Sequence, residues 1–430
     1  MGIKQVLAKV DATPVSQHKK AAIAYSGGLD SSLGIEMLRR KYGAKEIVPI
    51  TVDVGQGKEE MDESRRKAKA LGVTPIILDA KAEFAEEWLP TAIRANSDYN
   101  GYPVSTSMTR QLVARRVAEV ALKKGCTAVM EGSTGKGNDQ YRMHNVFKMF
   151  APKLEVLVPV RDFDLTRSEE EQLCRHWGVP VTETITGGDD KTLWCRSIAS
   201  GAIDLNQQLP DHIWMWLVPP RKAPNKPVEV KIEFEGGVPT HLNGRAMGLD
   251  KLIEKLNYIA GGAGVGRIDM FEDGIMSLKS REIYEAPAAH VVLKLHRDLE
   301  QMCLTKEEIQ FKKTVDARWA YLVYHGCWYH PLTRALAAFV NETQPVVSGT
   351  YTVSLYKGNI EIASRDSRTS LFSPEIRSIK ATGFNQQICA NAARVRGLPF
   401  EILAKRDQVV AAEAKQKSAK KAAKKTAKKK

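Results

Sequence analysis

Between residues 21 and 180, short β-rich runs alternate with stretches whose apolar residues recur every three or four positions. Ala21-Ala22-Ile23-Ala24-Tyr25 predicts a buried strand, and 31–42 a helix turning Leu33, Met37 and Leu38 inward. A second strand is expected over 47–54, a polar-faced helix over 61–71 ended by Gly72, and a third strand at 76–78. A helix follows through Trp88 toward Arg94. Another over 108–124 carries Leu112, Val113, Val117, Val120 and Ala121 and closes at Gly125. Strands are expected at 128–130 and 155–160. The pair Thr166 and Glu169 then forms a capping box for a helix that stops at Gly178. Such alternation predicts an α/β fold, a parallel sheet covered on both faces, with ligands at the carboxyl ends of its strands.

Past Pro180 the period changes. Pro219 to Pro227 reads as a loop, and Val228, Val230, Ile232 and Phe234 alternate as a half-buried strand before the Gly236-Gly237 turn. Helices are expected over 249–260, 287–302 and 305–324, the last opened by Thr305 and Glu308. Lys357-Gly358-Asn359 separates Tyr351-Val353-Leu355 from Ile360-Ile362 as a hairpin. The predicted organisation is a parallel-sheet domain over 1–180, an α+β domain over 181–385, a helix at 386–410 and a disordered Lys/Ala tail at 411–430.

A chain of 430 residues exceeds one compact core, in keeping with this division. Nine of the lysines behind the net charge of +14 lie between Lys415 and Lys430, and without them the body carries +5. The tail therefore offers weak, nonspecific contact with nucleic acid at most, and the body has no basic excess that marks a nucleic-acid-binding protein. Residues 1–20 hold no apolar run like a signal peptide, and no stretch is long enough to span a bilayer, so the expected compartment is the cytoplasm. Six cysteines without a C-x-x-C pair argue against a zinc ribbon or redox dithiol and read as free thiols. Trp214 and Trp216 read as packing residues, and His325 and His330 as ordinary histidines without zinc spacing.

The sharpest chemistry lies in Ser26-Gly27-Gly28-Leu29-Asp30-Ser31, between the first strand and the first helix. Unsatisfied N–H groups at a glycine-rich helix N-terminus form an anion site. Ser26, Ser31 and Ser32 add hydroxyl donors. Asp30 would repel a bare phosphate and makes sense beside a divalent cation shared with pyrophosphate. The lysine and spacing of a Walker A loop are absent. A plain capped glycine turn would not need this set of side chains. A second loop, Gly132-Ser133-Thr134-Gly135-Lys136-Gly137-Asn138-Asp139-Gln140-Tyr141-Arg142, follows another predicted strand. Thr134, Asn138, Asp139 and Arg142 suit the carboxylate and ammonium groups of an amino acid.

The first loop resembles the S-G-G-x-D-[ST] motif of the N-type ATP pyrophosphatases. The second resembles the G-[AS]-T-x-K-G-N-D-x-x-R signature of the argininosuccinate synthase family. Also similar to that family are Val54-Gly55-Gln56, Tyr102-Pro103-Val104-Ser105-Thr106-Ser107-Met108-Thr109-Arg110, Gly266 to Glu272, and Lys279 to Pro287, so the likeness runs from about Ala21 to Arg396. The resemblance implies an adenine nucleotide alpha hydrolase-like first domain followed by a synthetase domain. It implies ATP-dependent joining of citrulline and aspartate through a citrullyl-adenylate, with release of AMP and pyrophosphate. It also implies a magnesium requirement and a homotetramer built partly by C-terminal helices.

Carried over by position, Ala24, Tyr25, Ser26, Gly27, Gly28, Leu29, Asp30, Ser31 and Ser32 would hold ATP, with Val52, Gly132 and Asp190. Thr134, Asn138 and Asp139 would bind aspartate. Tyr102, Thr106, Ser107, Asn138, Arg142, Ser197, Glu272 and Tyr284 would surround citrulline. Asp30, Ser31, Arg110, Lys136 and Asp139 are the catalytic candidates, with Asp30 toward magnesium. No side chain has to act as a covalent nucleophile. The chain departs from the family at Thr186 to Leu193 and after Ser197: Gly188 stands where a serine is expected, and Ala199 where a glutamate often stands. This leaves open a paralogous synthetase for another ureido or amide substrate. A tRNA-modifying relative is the second alternative, although no cysteine lies in a convincing site for sulfur transfer.

Overall fold

The strand–helix alternation folds into a five-stranded parallel sheet. Its strands are β1 (Lys20–Ala24), β2 (Glu46–Asp53), β3 (Ile76–Asp79), β4 (Ala128–Met130) and β5 (Glu155–Leu157), in the order β3-β2-β1-β4-β5. Ala21, Ala22 and Ile23 of β1 are fully buried, as a central strand covered on both faces requires. The computed structural model describes residues 2–181, 189–198, 207–378, 380 and 382–427.

The predicted strand over 155–160 stops at Leu157. Pro159, with its fixed φ and no N–H to give a ladder, instead opens a short helix, Pro159–Asp162. The segment toward Arg94 is not one uniform helix: a π-helical turn, Phe84–Trp88, interrupts it. Thr166 and Glu169 form the expected reciprocal cap, and Gly178 ends the helix Arg167–Trp177 in the left-handed conformation. The helices Ile3–Ala12, Asp139–Phe150 and Pro331–Thr343 were not anticipated.

Two antiparallel sheets follow. One has the order β11-β12-β7-β6, from β6 (Asp189–Lys191), β7 (Arg196–Ile198), β11 (Arg267–Asp273) and β12 (Lys279–Glu285). The other joins β8 (Val228–Glu235), β9 (Val238–Leu242) and β10 (Arg245–Ala246) to the predicted hairpin, β13 (Gly349–Tyr356) with β14 (Asn359–Asp366). A buried ion pair braces the first of these sheets. Arg196 donates to Glu285, whose other oxygen accepts the N–H groups of Met215, Trp216 and Leu217 at 3.0, 2.9 and 2.9 Å. Trp216 is thus held through its backbone. Trp214 is half-buried, with the Arg267 guanidinium 5.9 Å from its ring centre.

Contacts divide the chain into two units, Met1–Ser370 and Leu371–Lys430. The second is dominated by one helix, Ile388–Ala427, which continues through most of the segment read as a disordered tail; alanine and lysine are strong helix formers even without apolar residues to pack. Among the described residues no helix is long and apolar enough to cross a membrane.

Within the first unit, a buried polar cluster ties the helices Pro287–Cys303 and Lys306–Tyr324 to the segment ending at Asn96. Lys312 Nζ lies 2.9 Å from Glu300, 2.8 Å from Asp316 and 2.6 Å from the Arg94 carbonyl. Asn96 Nδ2 donates to the same two carboxylates at 2.7 and 3.0 Å. Removing one partner from such a cluster strands the opposite charges. Lys312→Ala is expected to lower unfolding free energy by about 3–5 kcal/mol, measured by denaturant titration. A change within experimental error would show that the cluster contributes nothing to stability.

Candidate functional site

In the parallel sheet the strand order reverses between β1 and β4, which opens a crevice at their carboxyl ends. Both glycine loops sit there. Ser26-Gly27-Gly28 leaves β1 and enters the helix Leu29–Arg40, whose N-cap, Gly28, supplies no side-chain cap. The first turn of that helix can therefore present N–H groups to an anion. Gly27 has φ +82°, and a Cβ there would lie 2.7 Å from the Ser64 Cα, so only glycine fits against the helix Lys58–Ala70. The hydroxyls of Ser26 and Ser31 stand 3.2 Å apart, and Lys67 Nζ donates to the Gly27 carbonyl at 2.9 Å. Tyr25, just past β1, Ser32 on the helix and Val52 on β2 are buried beneath this loop or beside it; Ala24 is half-buried at the end of β1. Gly132 closes the crevice from β4: a Cβ on it would sit 3.0 Å from the Asp30 Cβ. The two loops touch at this point.

Three carboxylates surround the contact. Asp30 pairs with Arg167 at 3.0 Å. Glu170 is buried beside Asp30; desolvation and that neighbouring charge push its pKa up to about 9. It therefore keeps its proton at neutral pH and adds no second negative charge beside Asp30. Glu131, just before Gly132, is lifted by burial to about 7, although the Ser133 N–H (2.8 Å) and hydroxyl donate to it.

The second loop is shaped by Gln140, whose amide donates to the carbonyls of Gly135 and Gly137 at 2.8 and 3.0 Å. It leads into the helix Asp139–Phe150. Asp139 lies between two guanidiniums, Arg110 at 2.7 Å and Arg142 at 2.9 Å. Burial alone would raise its pKa, but the two cations hold it below the ordinary carboxylate value. Arg110 reaches on to both oxygens of Asp190 at 2.5 Å, linking the loop to β6. Thr134 and Lys136 are exposed on the loop and take no part in this ion-pair chain.

Beside the chain lies an aromatic pocket. Tyr284, Ser197 and Asp190 stand directly opposite one another across β12, β7 and β6, and so share one face of the sheet. Tyr284 donates to Glu272 at 2.7 Å, and Tyr324 donates to the other Glu272 oxygen. Tyr102 stacks on Tyr284 with ring centres 4.4 Å apart, and its hydroxyl accepts the Thr106 N–H at 2.6 Å. Thr106 and the buried Ser107 occupy the first turn of the helix Ser105–Lys123, entered through Val104 at φ +41°. Asn138 spans the gap to the loop: its Nδ2 donates to the Tyr324 hydroxyl at 3.0 Å, and its Oδ1 accepts the Ile275 N–H at 2.8 Å. Arg142 donates to the Tyr324 carbonyl at 2.9 Å and lies 4.7 Å from the centre of its ring.

The structure thus brings the predicted residues together around the two loops and the adjoining sheet face, with Thr134 and Lys136 exposed on the second loop where it borders them. Gly188 and Ala199 lie outside the described residues. Sequence reading missed Tyr324, Tyr99, Lys67, Glu131, Arg167 and Glu170. Tyr324 ends an amphipathic helix, where an aromatic side chain reads as core; Tyr99 lay three residues before a recognised segment and was open to notice. Of the two histidines singled out, His330 caps the helix Pro331–Thr343 and His325 stacks on Tyr321.

Glu131 gives the site a pH signature. Its folded pKa of about 7 exceeds the ordinary 4.5, so folding takes up a proton in that window and stability falls as pH rises through it. The loss is on the order of 3 kcal/mol. Glu131→Gln should flatten this component of the thermal midpoint between pH 4.5 and 7; an unchanged pH dependence would contradict it.

Family models match almost the whole chain: the Arginosuccinate synthase N-terminal HUP domain at residues 20–180 and the Arginosuccinate synthase C-terminal domain at 188–403. An argininosuccinate synthase of Methanococcoides burtonii is 42% identical over 90% of this chain and 98% of its own length. One of Pyrococcus furiosus is 43% identical over 88% and 93%. Among solved structures, the U34-tRNA thiolase NcsA of Methanococcus maripaludis with its [4Fe-4S] cluster aligns over 42% of this chain and 65% of its own. Its TM-score is 0.28 at 16% identity, too remote to bear on fold or function.

Proposed function

We infer the division of labour in the site from one premise: this chain belongs to the argininosuccinate synthase family. It is a ligase that joins citrulline to aspartate at the expense of ATP, a step of arginine biosynthesis. Our reading of its mechanism rests on the contact between Gly132 and Asp30, which brings the phosphate loop against the amino-acid loop.

In this reading residues 1–180 bind the nucleotide and residues 181–385 form the synthetase domain. ATP lies along Ala24 to Ser32, with the triphosphate at the N-terminus of the helix Leu29–Arg40 and the adenine near Val52. Ser31 donates to phosphate. The ureido oxygen of citrulline attacks the α-phosphorus, pyrophosphate leaves, and the aspartate amine then displaces AMP from the citrullyl-adenylate. A ureido oxygen is a weak nucleophile, so alignment and phosphate charge stabilisation supply most of the rate. The polar face of Tyr102, Ser197, Glu272 and Tyr284, with Thr106, Ser107 and Arg142, suits citrulline. Thr134, Asn138 and Asp139 suit aspartate, with Lys136 free on the loop to approach phosphate. Arg110 fixes Asp139 and Asp190 in place.

The donor set bears on magnesium. Among the described residues no group of three or more acidic, histidine or cysteine side chains could hold a metal. A single carboxylate fits a magnesium ion carried mainly by phosphates and water, with Asp30 as its protein ligand. Such an ion would neutralise phosphate charge. We place the reaction in the cytoplasm, where ATP is available and unpaired cysteines such as Cys126 and Cys174 stay reduced.

The homotetramer belongs to the same reading. On the helix Ile388–Ala427, Ile388, Val395, Ile402 and Val409 recur every seven residues and are each more than half exposed. A heptad stripe of this kind suits packing against another copy.

Pyrophosphate release is expected to require citrulline, and argininosuccinate to appear only when aspartate is also present. Release with ATP that ignores citrulline would send the search to other ureido or amide substrates. Asp30→Asn should abolish citrulline-dependent ATP–pyrophosphate exchange, and near-normal exchange would remove its metal role. Val395→Glu combined with Ile402→Glu should give a smaller particle by light scattering; an unchanged mass would free the helix from assembly.

A further inference from the structure

Tyr324 is buried where the two amino-acid subsites meet, and its single hydroxyl belongs to both. On one side it donates to Glu272, which faces the tyrosine pocket; on the other it accepts from Asn138 Nδ2 at 3.0 Å. Its ring is fixed independently of that hydroxyl. It stacks on Tyr99 with centres 3.9 Å apart, meets Tyr102 edge-on at 6.4 Å and lies under the Arg142 guanidinium.

Every polar atom around the hydroxyl is already engaged. Tyr284 satisfies the second Glu272 oxygen, and the Ile275 N–H satisfies Asn138 Oδ1. An amino acid whose ammonium group approaches Glu272 adds a donor to oxygens that already accept from Tyr284 and Tyr324, and so weakens or turns the Tyr324 O–H bond. That change alters what Asn138 Nδ2 donates to and so the orientation of the amide presented to the second amino acid. Because the hydroxyl donates toward Glu272 and accepts from Asn138, each bond polarises the other, and a change on one side is felt on the other.

We propose that Tyr324 is a positioning residue whose hydroxyl couples occupancy of the citrulline subsite to affinity in the aspartate subsite. The proposal rests on the assignment of those subsites above. Coupling of this kind is reciprocal: each amino acid changes the affinity for the other by the same factor.

The test is calorimetric titration of the full chain with aspartate, with and without citrulline, in the presence of the non-cleavable ATP analogue α,β-methylene-ATP. In the native protein citrulline should change aspartate affinity by about five-fold or more. In Tyr324→Phe, which keeps the stacked ring, that factor should fall toward one while each amino acid still binds alone. A purely structural role would lower the thermal midpoint and leave the factor intact, and equal factors in the two proteins would overturn the proposal. Should Tyr324→Phe not fold, Tyr324→Met, which also removes the hydroxyl and leaves every other residue of both subsites in place, is expected to reduce the same factor. A native protein that does not bind citrulline at all would instead refute the subsite assignment.

Discussion

One carboxylate held between two guanidiniums organises this molecule. Asp139 opens the helix Asp139–Phe150; Arg142 reaches it from the next turn of that helix and Arg110 from the helix Ser105–Lys123. Arg110 continues to Asp190 on an antiparallel sheet, and Arg142 to the carbonyl that ends the helix Lys306–Tyr324. Four segments distant in sequence are thus fixed by one alternating row of charges. Because each member is satisfied by the next, no isolated ion is left in a poorly solvated place.

Under the proposed reading, that row lets one crevice take a strongly anionic nucleotide beside two zwitterions. The charges of Asp139 and Asp190 are balanced within the protein, Asp30 is met by Arg167, and Glu170 is kept neutral by burial. The glycine loop then offers backbone N–H groups and hydroxyls to an anion, with the Lys67 ammonium held close by on the Gly27 carbonyl.

The fold was legible in the sequence where a single physical rule dominates. Alternating periods gave the parallel sheet, and reciprocal caps at Thr166 and Thr305 marked two helix starts to the residue. The strand expected past Leu157 failed because a continuous apolar run outweighed the meaning of Pro159. For the Lys/Ala tail, low hydrophobicity excludes a core but leaves frayed helix and coil both open, and composition alone does not choose between them. In the site, glycine spacing and dense polar side chains pointed to both loops. Tyr324 and Glu131 escaped, since their importance lies in which groups they meet across the chain. Burial shifts Glu131, and no local pattern encodes burial.

The row formed by Tyr284, Ser197 and Asp190 has a consequence for how such a pocket can change over time. Side chains alternate faces along a strand, so a slip of one residue in β7 would carry its whole pocket-facing set to the opposite face. Inserting or deleting a single residue within these short strands is therefore an all-or-none event for the pocket. The face can change without disturbing the row by exchanging side chains at fixed places or by remodelling the connections between strands, while an added residue within a strand has to be absorbed as a bulge, as in β8 and β13.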